Sequence, residues 1–289
     1  MGRASGQSRL ASTHPRAKPL RQRNVLYFRH GYEQQLQQEL GALQERFTVI
    51  DDLEQIEAGD RVLCRFSTLP FPELLEQELE ARGAVLVHGH AAHAYLADMR
   101  RWYPDLKGIT PETWFAVEDV SGEGPFFVKG MTNSNKSDWR ACYAADREDL
   151  QRVIAAVAAD PLLSQQPLCI RQFVPLVTYA QHPQTGVPIT EEFRCFVAGG
   201  RVLSRGYYWS EQLEQLADQG IVPDPEAIPD AFLEDVIARV HAQADYYVVD
   251  VARTQAGEWL VVELNDATMS GLAGNDPQVL YSNFLAHLE

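Results

Sequence analysis

No apolar run in this chain approaches the ~20 residues that a membrane-spanning helix needs, and the first 23 residues lack the apolar middle of a secretory signal. These absences lead us to expect a cytoplasmic protein without a membrane partner. Cysteine is scarce and scattered: Cys64, Cys142, Cys169 and Cys195 show no C-x-x-C spacing. Three of the four lie in strand-like apolar segments (LCRF, LCIRQF, FRCFV), so we read them as reduced core residues. A catalytic thiol lacks a suitably spaced histidine. Acid is missing from residues 1–23, which carry Arg3, Arg9, Arg16, Lys18, Arg21 and Arg23 among small and polar residues. That stretch reads as a disordered basic tail. Removing its six positive charges from the net −15 leaves −21 on residues 24–289. So acidic a body is poorly suited to gripping a polyanionic backbone, which disfavours nucleic acid as a substrate. Internal repeats are also absent.

What is present is an ordinary globular composition, 289 residues of which 45% are hydrophobic, enough for one large or several small domains. From Asn24 strand and helix patterns alternate: NVLYFRH, the amphipathic YEQQLQQELGALQERF, FTVIDD, RVLCRFST, FPELLEQELEARG and AVLVHG. Such alternation predicts a small α/β domain over residues 24–98 with a parallel sheet. AAHAYLADMRRWYPDL reads as one helix. From about residue 99 the pattern becomes α+β. FAVED and PFFVKG are predicted to pair around Ser121–Gly124, EDLQRVIAAVAAD to form a helix, and LCIRQFVPLV a buried strand. EEFRCFVAGG and RVLSRGYYW form a hairpin around Gly199 and Gly200, and PDAFLEDVIARVHAQA a helix. Asp218–Asp230 reads as a surface loop.

The stretch YYVVDVARTQAGEWLVVELND, Tyr246–Asp266, predicts two strands joined at Thr254–Gly257. Alternation puts Glu263 and Asn265 on one face. With an even hairpin loop, Asp250 joins them, either opposite Glu263 or one pair along. Two acids inside the apolar runs VVDVA and LVVELN would cost several kcal/mol if buried without a partner. Oxygen-only donors at an open site suit Mg²⁺, which completes its octahedron with waters and nucleotide phosphates; solvated strand-end acids are the plain alternative.

In PFFVKGMTNSNKSDW, Lys129 ends an apolar strand and a small, polar loop leads to Lys136. Such a loop offers amides and hydroxyls to phosphate oxygens. EEFRCFV puts Glu192, Arg194 and Phe196 on one face. The pair is either a structural ion pair or a device in which Glu192 holds Arg194 toward phosphate. Arg205, on the returning strand, is expected to add a cation near the same surface.

Taken in order, these pieces resemble the ATP-grasp superfamily: the strand-end lysine with its loop, the hinge strand IRQFVPL, the acid-x-Arg strand, and the closing V-D-V…V-E-L-N hairpin. The preceding α/β segment, through ARGAVLVHGHAAHAYLADMRR, is similar to the pre-ATP-grasp domain of such proteins. Arg100 after L-A-D-M, with Lys129 and Lys136, resembles the clade named for one arginine and two lysines. EEFRCFV and VVELND are also similar to eukaryotic cell-division-cycle relatives that assist protein assembly. The resemblance implies an ATP-grasp fold, two α+β lobes clasping ATP, over residues 99–289, its small lobe at about 111–175. It implies that Arg100 and Lys129 contact α- and β-phosphates, that Lys136 and Arg194 contact β- and γ-phosphates, and that Asp250, Glu263 and Asn265 hold Mg²⁺. Gln172, Phe173 and Val174 would meet adenine chiefly through the backbone, and Gly130 with the loop to Ser137 would cover ATP. The implied activity is ligation of a carboxylate to an amine through an acylphosphate, with Arg194, Lys136 and Arg205 as catalytic cations. An ATP-binding assembly factor, docking through Tyr207–Trp209 and the acidic loop after it, and a kinase that stops at phosphorylation are the competing readings. Where most members carry N-x-N the chain reads NDATMSG.

Overall fold

The computed structural model describes residues 22–28, 37–66, 72–131, 139–161, 163 and 166–289. Residues 1–21 of the expected tail, the start of the first amphipathic helix, Lys136 and most of the loop expected to cover ATP therefore lie outside the described residues, whereas the last residue of the expected tail, Arg23, is described. Its guanidinium donates to both oxygens of Asp60, at 2.8 and 2.6 Å, and so joins the folded body rather than the tail.

The first unit runs β1 (Asn24–Tyr27), α1 (Leu40–Gln44), β2 (Thr48–Ile50), β3 (Arg61–Cys64), α2 (Pro72–Ala81) and β4 (Val85–Leu86). Its strands pair in the order β2-β1-β3-β4, all parallel. Val25, Val62, Cys64, Leu75 and Leu79 form its buried interior, each large side chain contributing about 1.5–3 kcal/mol by burial. The single helix predicted across residues 91–106 is instead two, α3 (His90–Ala97) and α4 (Met99–Leu106). Asp98 is extended between them, and its carboxylate accepts Arg100 N–H, starting α4 with an N-cap that apolar periodicity does not reveal.

The second unit has β5 (Thr113–Trp114), β6 (Phe126–Gly130), β7 (Tyr143–Ala144), α5 (Arg147–Ala159) and β8 (Leu168–Gln172). Its sheet is antiparallel in the order β5-β8-β6-β7. FAVED is not a strand: Val117–Asp119 form a 3₁₀ turn with Val117 exposed, because β8 and β7 already flank β6. Phe126, Val128 and Ile170 face α5. The alternate residues Phe127, Lys129 and Arg171 point the other way, into a cleft.

The third unit contains β9 (Thr178–Gln181), β10 (Pro188–Thr190), β11 (Glu192–Ala198), β12 (Arg201–Tyr207), α6 (Leu213–Ala217), α7 (Asp230–Val240), β13 (Tyr246–Arg253), β14 (Trp259–Asp266) and α8 (Pro277–Leu288). Its main sheet is antiparallel in the order β12-β11-β13-β14. Gly199 and Gly200 turn β11 into β12 with φ of 56° and 68°, a conformation that costs glycine least. Phe193, Cys195 and Val197 pack toward Leu233, Val236 and Val240 of α7. Phe196, Ala198 and Val248 pack toward Leu280, Tyr281 and Phe284 of α8. Burial on both faces explains why β13 is almost continuously apolar, and why an acid within it demands partners. Among the described residues no helix is long and apolar enough to cross a membrane.

Candidate functional site

Five residues, Thr254–Glu258, separate the paired Arg253 and Trp259. That odd count would set Asp250 opposite Val262 and send Glu263 to the other face. A bulge corrects the parity: Val251 pairs with Val261 but Asp250 pairs with Glu263, leaving Val262 as the extra residue. The result is one rung across three strands, Arg194 beside Asp250 beside Glu263. Asn265, paired with Val248, completes the cluster by donating Nδ2–H to Asp250 Oδ2 at 3.0 Å.

Arg194 grips Asp250 with both arms of its guanidinium, Nε to Oδ1 at 2.9 Å and Nη2 to Oδ2 at 2.8 Å. Its third donor, Nη1, reaches Gly271 O at 2.9 Å, and its plane lies 5.0 Å from the centre of the Tyr208 ring. Burial opposes the Arg194 charge, but Asp250 outweighs it and raises the pKa above the ordinary guanidinium value. Burial, with Glu192 and Asp250 nearby, pushes the Tyr208 phenol up as well. Asp250, not Glu192, is therefore the partner that fixes Arg194. Glu192 accepts instead from Thr190 Oγ1 at 3.0 Å.

From the opposite lobe, Lys129 on β6 donates Nζ–H to Glu263 Oε1, so the two lobes meet in an ion pair at the metal-ligand candidate. Lys129, Glu192, Asp250 and Glu263 line a cleft of about 250 Å³. Its other half is apolar and aromatic, built by Phe127, Trp139, Phe173, Val174, Leu176 and Trp209. The hinge residues Gln172, Phe173 and Val174 thus lie in the cleft. Two of their amides are engaged, Gln172 N with Glu112 O at 2.7 Å and Phe173 N with Pro125 O at 2.9 Å.

Other expected residues lie elsewhere. Arg205 pairs with Cys195 and so projects from the face opposite Arg194. Its guanidinium donates to Asp230 Oδ1 at 2.5 Å at the start of α7 and lies 3.5 Å from Glu226. The single-residue offset from Gly206, which pairs with Arg194, removes it from the cluster. Arg100 is exposed and chelates Asp98, with Nη2 to Oδ2 at 2.7 Å, outside the residues that line the cleft. The docking segment Tyr207–Trp209 is not an outward patch: Tyr207 is buried, its hydroxyl donating to Thr190 O at 3.0 Å, while Tyr208 and Trp209 line the cleft.

Two buried arginines carry structural work that the sequence reading did not assign. Arg171 on β8 donates to Thr113 Oγ1 at 3.2 Å, Thr110 Oγ1 at 2.7 Å and Val262 O, the bulge carbonyl, at 2.6 Å. Burial pulls its pKa below the ordinary value. Arg65 is clasped by Glu39 at 2.9 and 2.6 Å, and it donates to Thr268 O at 2.6 Å and Ser270 O at 2.7 Å. It thereby anchors the loop whose Gly271 carbonyl receives Arg194. Strand alternation could have flagged Arg171, which shares the Lys129 face; nothing local marks Arg65.

The donor set of Asp250, Glu263 and Asn265 is oxygen only, with no thiol or imidazole, and fits a hard divalent cation such as Mg²⁺. A family model described as an ATP-grasp domain, the third family of the clade named for one arginine and two lysines, matches residues 118–284. A search of curated proteins finds no significant match. Among solved structures, the chain is similar to the ATP-grasp ligase PsnB complexed with a precursor peptide and AMPPNP: 13% identity, 91% of this chain and 97% of that chain covered, TM-score 0.57. It is similar to the D-alanine–D-alanine ligase of Bacillus anthracis complexed with ATP: 12% identity, 92% and 97% covered, TM-score 0.59. It is also similar to a RimK domain ATP-grasp protein of Sphaerobacter thermophilus: 16% identity, 91% and 99% covered, TM-score 0.52. At such identities the likeness is one of fold.

Proposed function

The chain belongs to the ATP-grasp family, in the clade named for one arginine and two lysines, and from that membership we propose that it is an ATP- and Mg²⁺-dependent ligase joining a carboxylate to an amine. The observation that carries this reading is the rung Arg194–Asp250–Glu263, closed from the other lobe by Lys129 at the mouth of an aromatic cleft. The apolar half of the cleft suits a flat heteroaromatic base, and the charged half suits its phosphates. Asp250, Glu263 and Asn265 would hold Mg²⁺, which when bound neutralises phosphate charge and orients the terminal phosphoryl group. Lys129 and Arg194 would exchange their carboxylate partners for phosphate oxygens as those carboxylates take the metal. Each close cation is worth up to roughly 4 kcal/mol at intermediate dielectric before desolvation.

In the reaction proposed, a substrate carboxylate oxygen attacks the γ-phosphorus and the bond to the β–γ bridging oxygen breaks, releasing ADP. The amine nitrogen then attacks the acyl carbon, inorganic phosphate leaves, and the nitrogen loses a proton. Arg194 and Lys129 would stabilise charge on the transferred group, and catalysis would rest on positioning rather than a protein nucleophile. Lys136 remains a candidate for the β- and γ-phosphates from sequence. PsnB and the D-alanine ligase are complexed with a peptide and with ATP respectively, so small amino acids and peptide carboxylates are the acceptors to try first.

ATP-to-ADP conversion should therefore be followed over a panel of amino acids, peptides and cell extract, with mass analysis of the product. ADP release that needs both a carboxylate and an amine is the expected result. Phosphoryl transfer without the amine would assign a kinase, and tight ATP binding with no turnover would assign an assembly factor.

A further inference from the structure

Asp266 follows Asn265 at the end of β14, and strand alternation turns it away from the nucleotide cleft toward the first unit. There it meets His88, in the segment after β4, and His93, on α3. Nδ1 of His93 lies 2.8 Å from Asp266 Oδ2, and Nε2 of His88 lies 3.4 Å from Oδ1 without hydrogen-bond alignment. The two imidazoles meet edge to face at 5.9 Å. One donor atom from each of the three residues lies within 4.8 Å of the others. The side chains of His88, His93 and Asp266 are 2%, 4% and 10% exposed.

Neither ring nitrogen of His88 makes a hydrogen bond of good geometry, although the Tyr246 backbone lies near it, and Nε2 of His93 has no partner. A buried polar atom left in that condition is costly; His88 Nε2 stands at the Asp266 carboxylate without a partner of its own, and an ion shared with Asp266 would engage one nitrogen of each imidazole. Asp266 is itself held in place by Thr268, whose N–H and hydroxyl donate to it at 2.8 and 2.9 Å. Such donors to a ligating carboxylate are the usual outer support of a metal site. Burial pushes the His88 pKa down, keeping a neutral imidazole.

We propose that His88, His93 and Asp266 bind a divalent transition-metal ion of the zinc class, at a second site separate from the magnesium ligands. Two nitrogens and one oxygen favour zinc over magnesium, which prefers oxygen alone. Bond lengths of about 2.0–2.2 Å in a tetrahedral site imply donor separations of about 3.3–3.6 Å, within reach of small ring rotations from the present geometry. Because the three side chains are almost closed to solvent, the ion's role is structural. It would tie the segment between β4 and α3 to β14, one residue beyond Asn265, and so hold that end of the magnesium strand.

The test is to strip the full chain with a chelator and titrate it with Zn²⁺ by calorimetry, with Mg²⁺ present throughout. Saturable binding of one Zn²⁺ per chain, with a rise in the thermal midpoint, is the expected result. The same binding should persist in Glu263→Ala and weaken by roughly 10–100-fold in His88→Gln and His93→Gln. Should those variants fail to fold, Co²⁺ added to the wild-type chain decides: nitrogen and oxygen ligation without thiolate charge-transfer absorption is expected. Absence of Zn²⁺ binding to the wild-type chain, undiminished affinity in the folded histidine variants, or a cysteine signature with Co²⁺ would each overturn the proposal.

Discussion

Arg171 donates Nη1–H to the carbonyl of Val262 at 2.6 Å, so a small-lobe strand holds the one extra residue that turns Glu263 toward Asp250. The same edge of β14 is sealed by Val261, whose N–H bonds Ile109 O at 2.7 Å and whose carbonyl accepts Thr110 Oγ1 at 2.8 Å. Among the described residues no carboxylate salt bridge neutralises Arg171; its buried charge is solvated by a carbonyl and two hydroxyls.

Arg171→Met is accordingly expected to lower stability by about 2–4 kcal/mol, since three acceptors lose a charged donor at once. It should also weaken Mg²⁺-dependent nucleotide binding roughly 10–100-fold, as the loss of a group that orients a metal ligand does. Denaturant unfolding and calorimetry measure the two effects. A stability loss with unchanged nucleotide affinity would mean that Glu263 keeps its place without this support.

Lys129 and Glu263 are 8% and 22% exposed, and each stands to leave the other's charge poorly compensated if removed. Lys129→Met and Glu263→Gln should each weaken Mg²⁺-nucleotide binding. Their stability losses should not add, with a coupling of about 0.5–3 kcal/mol in a double-mutant cycle. Additive losses would show that the inter-lobe ion pair contributes nothing.

Arg205 separates two accounts of the site. Its partners Asp230 and Glu226 are 77% and 78% exposed, so Arg205→Ala should cost at most about 1 kcal/mol. Because Arg205 projects from the α7 face, nucleotide affinity is expected to stay at the wild-type value. A marked loss of ATP binding by calorimetry would return Arg205 to the catalytic group.

Asp60 supplies a pH test. Burial opposes its charge, but hydrogen bonds from Arg23 and the Glu57 amide outweigh it and hold the pKa below the ordinary value. A carboxylate with a depressed folded pKa contributes stability that is fully present above the unfolded value of about 3.9 and is lost as pH falls toward the folded one. Asp60→Asn should therefore lower stability at neutral pH and flatten its decline in acid. Parallel pH–stability curves for variant and wild type would exclude this linkage.

Residue pattern alone gave the strand–helix order of the first unit, the Gly199–Gly200 hairpin, the helices of EDLQRVIAAVAAD and PDAFLEDVIARVHAQA, and the acids of VVDVA and VVELND. These rest on alternation and helical periodicity, which neighbouring residues fix among themselves. The break at Asp98 and the short strand Thr113–Trp114 were not legible. One depends on a side chain capping its own backbone, the other on which strand reaches the edge of β8 first.

The site divides the same way. Sequence determined which side chains could ligate or neutralise, because an acid within an apolar strand cannot be buried without a partner. Tertiary structure decided which of them meet. The odd hairpin loop would have separated Asp250 from Glu263, and only the Val262 bulge, held from another lobe by Arg171, restored the shared face. A single residue of register likewise sent Arg205 to the far side of the sheet while keeping Arg194 in the cluster. Side-chain direction in a sheet has a period of two, so one inserted or skipped residue reverses it, and contacts distant in sequence select where that residue falls.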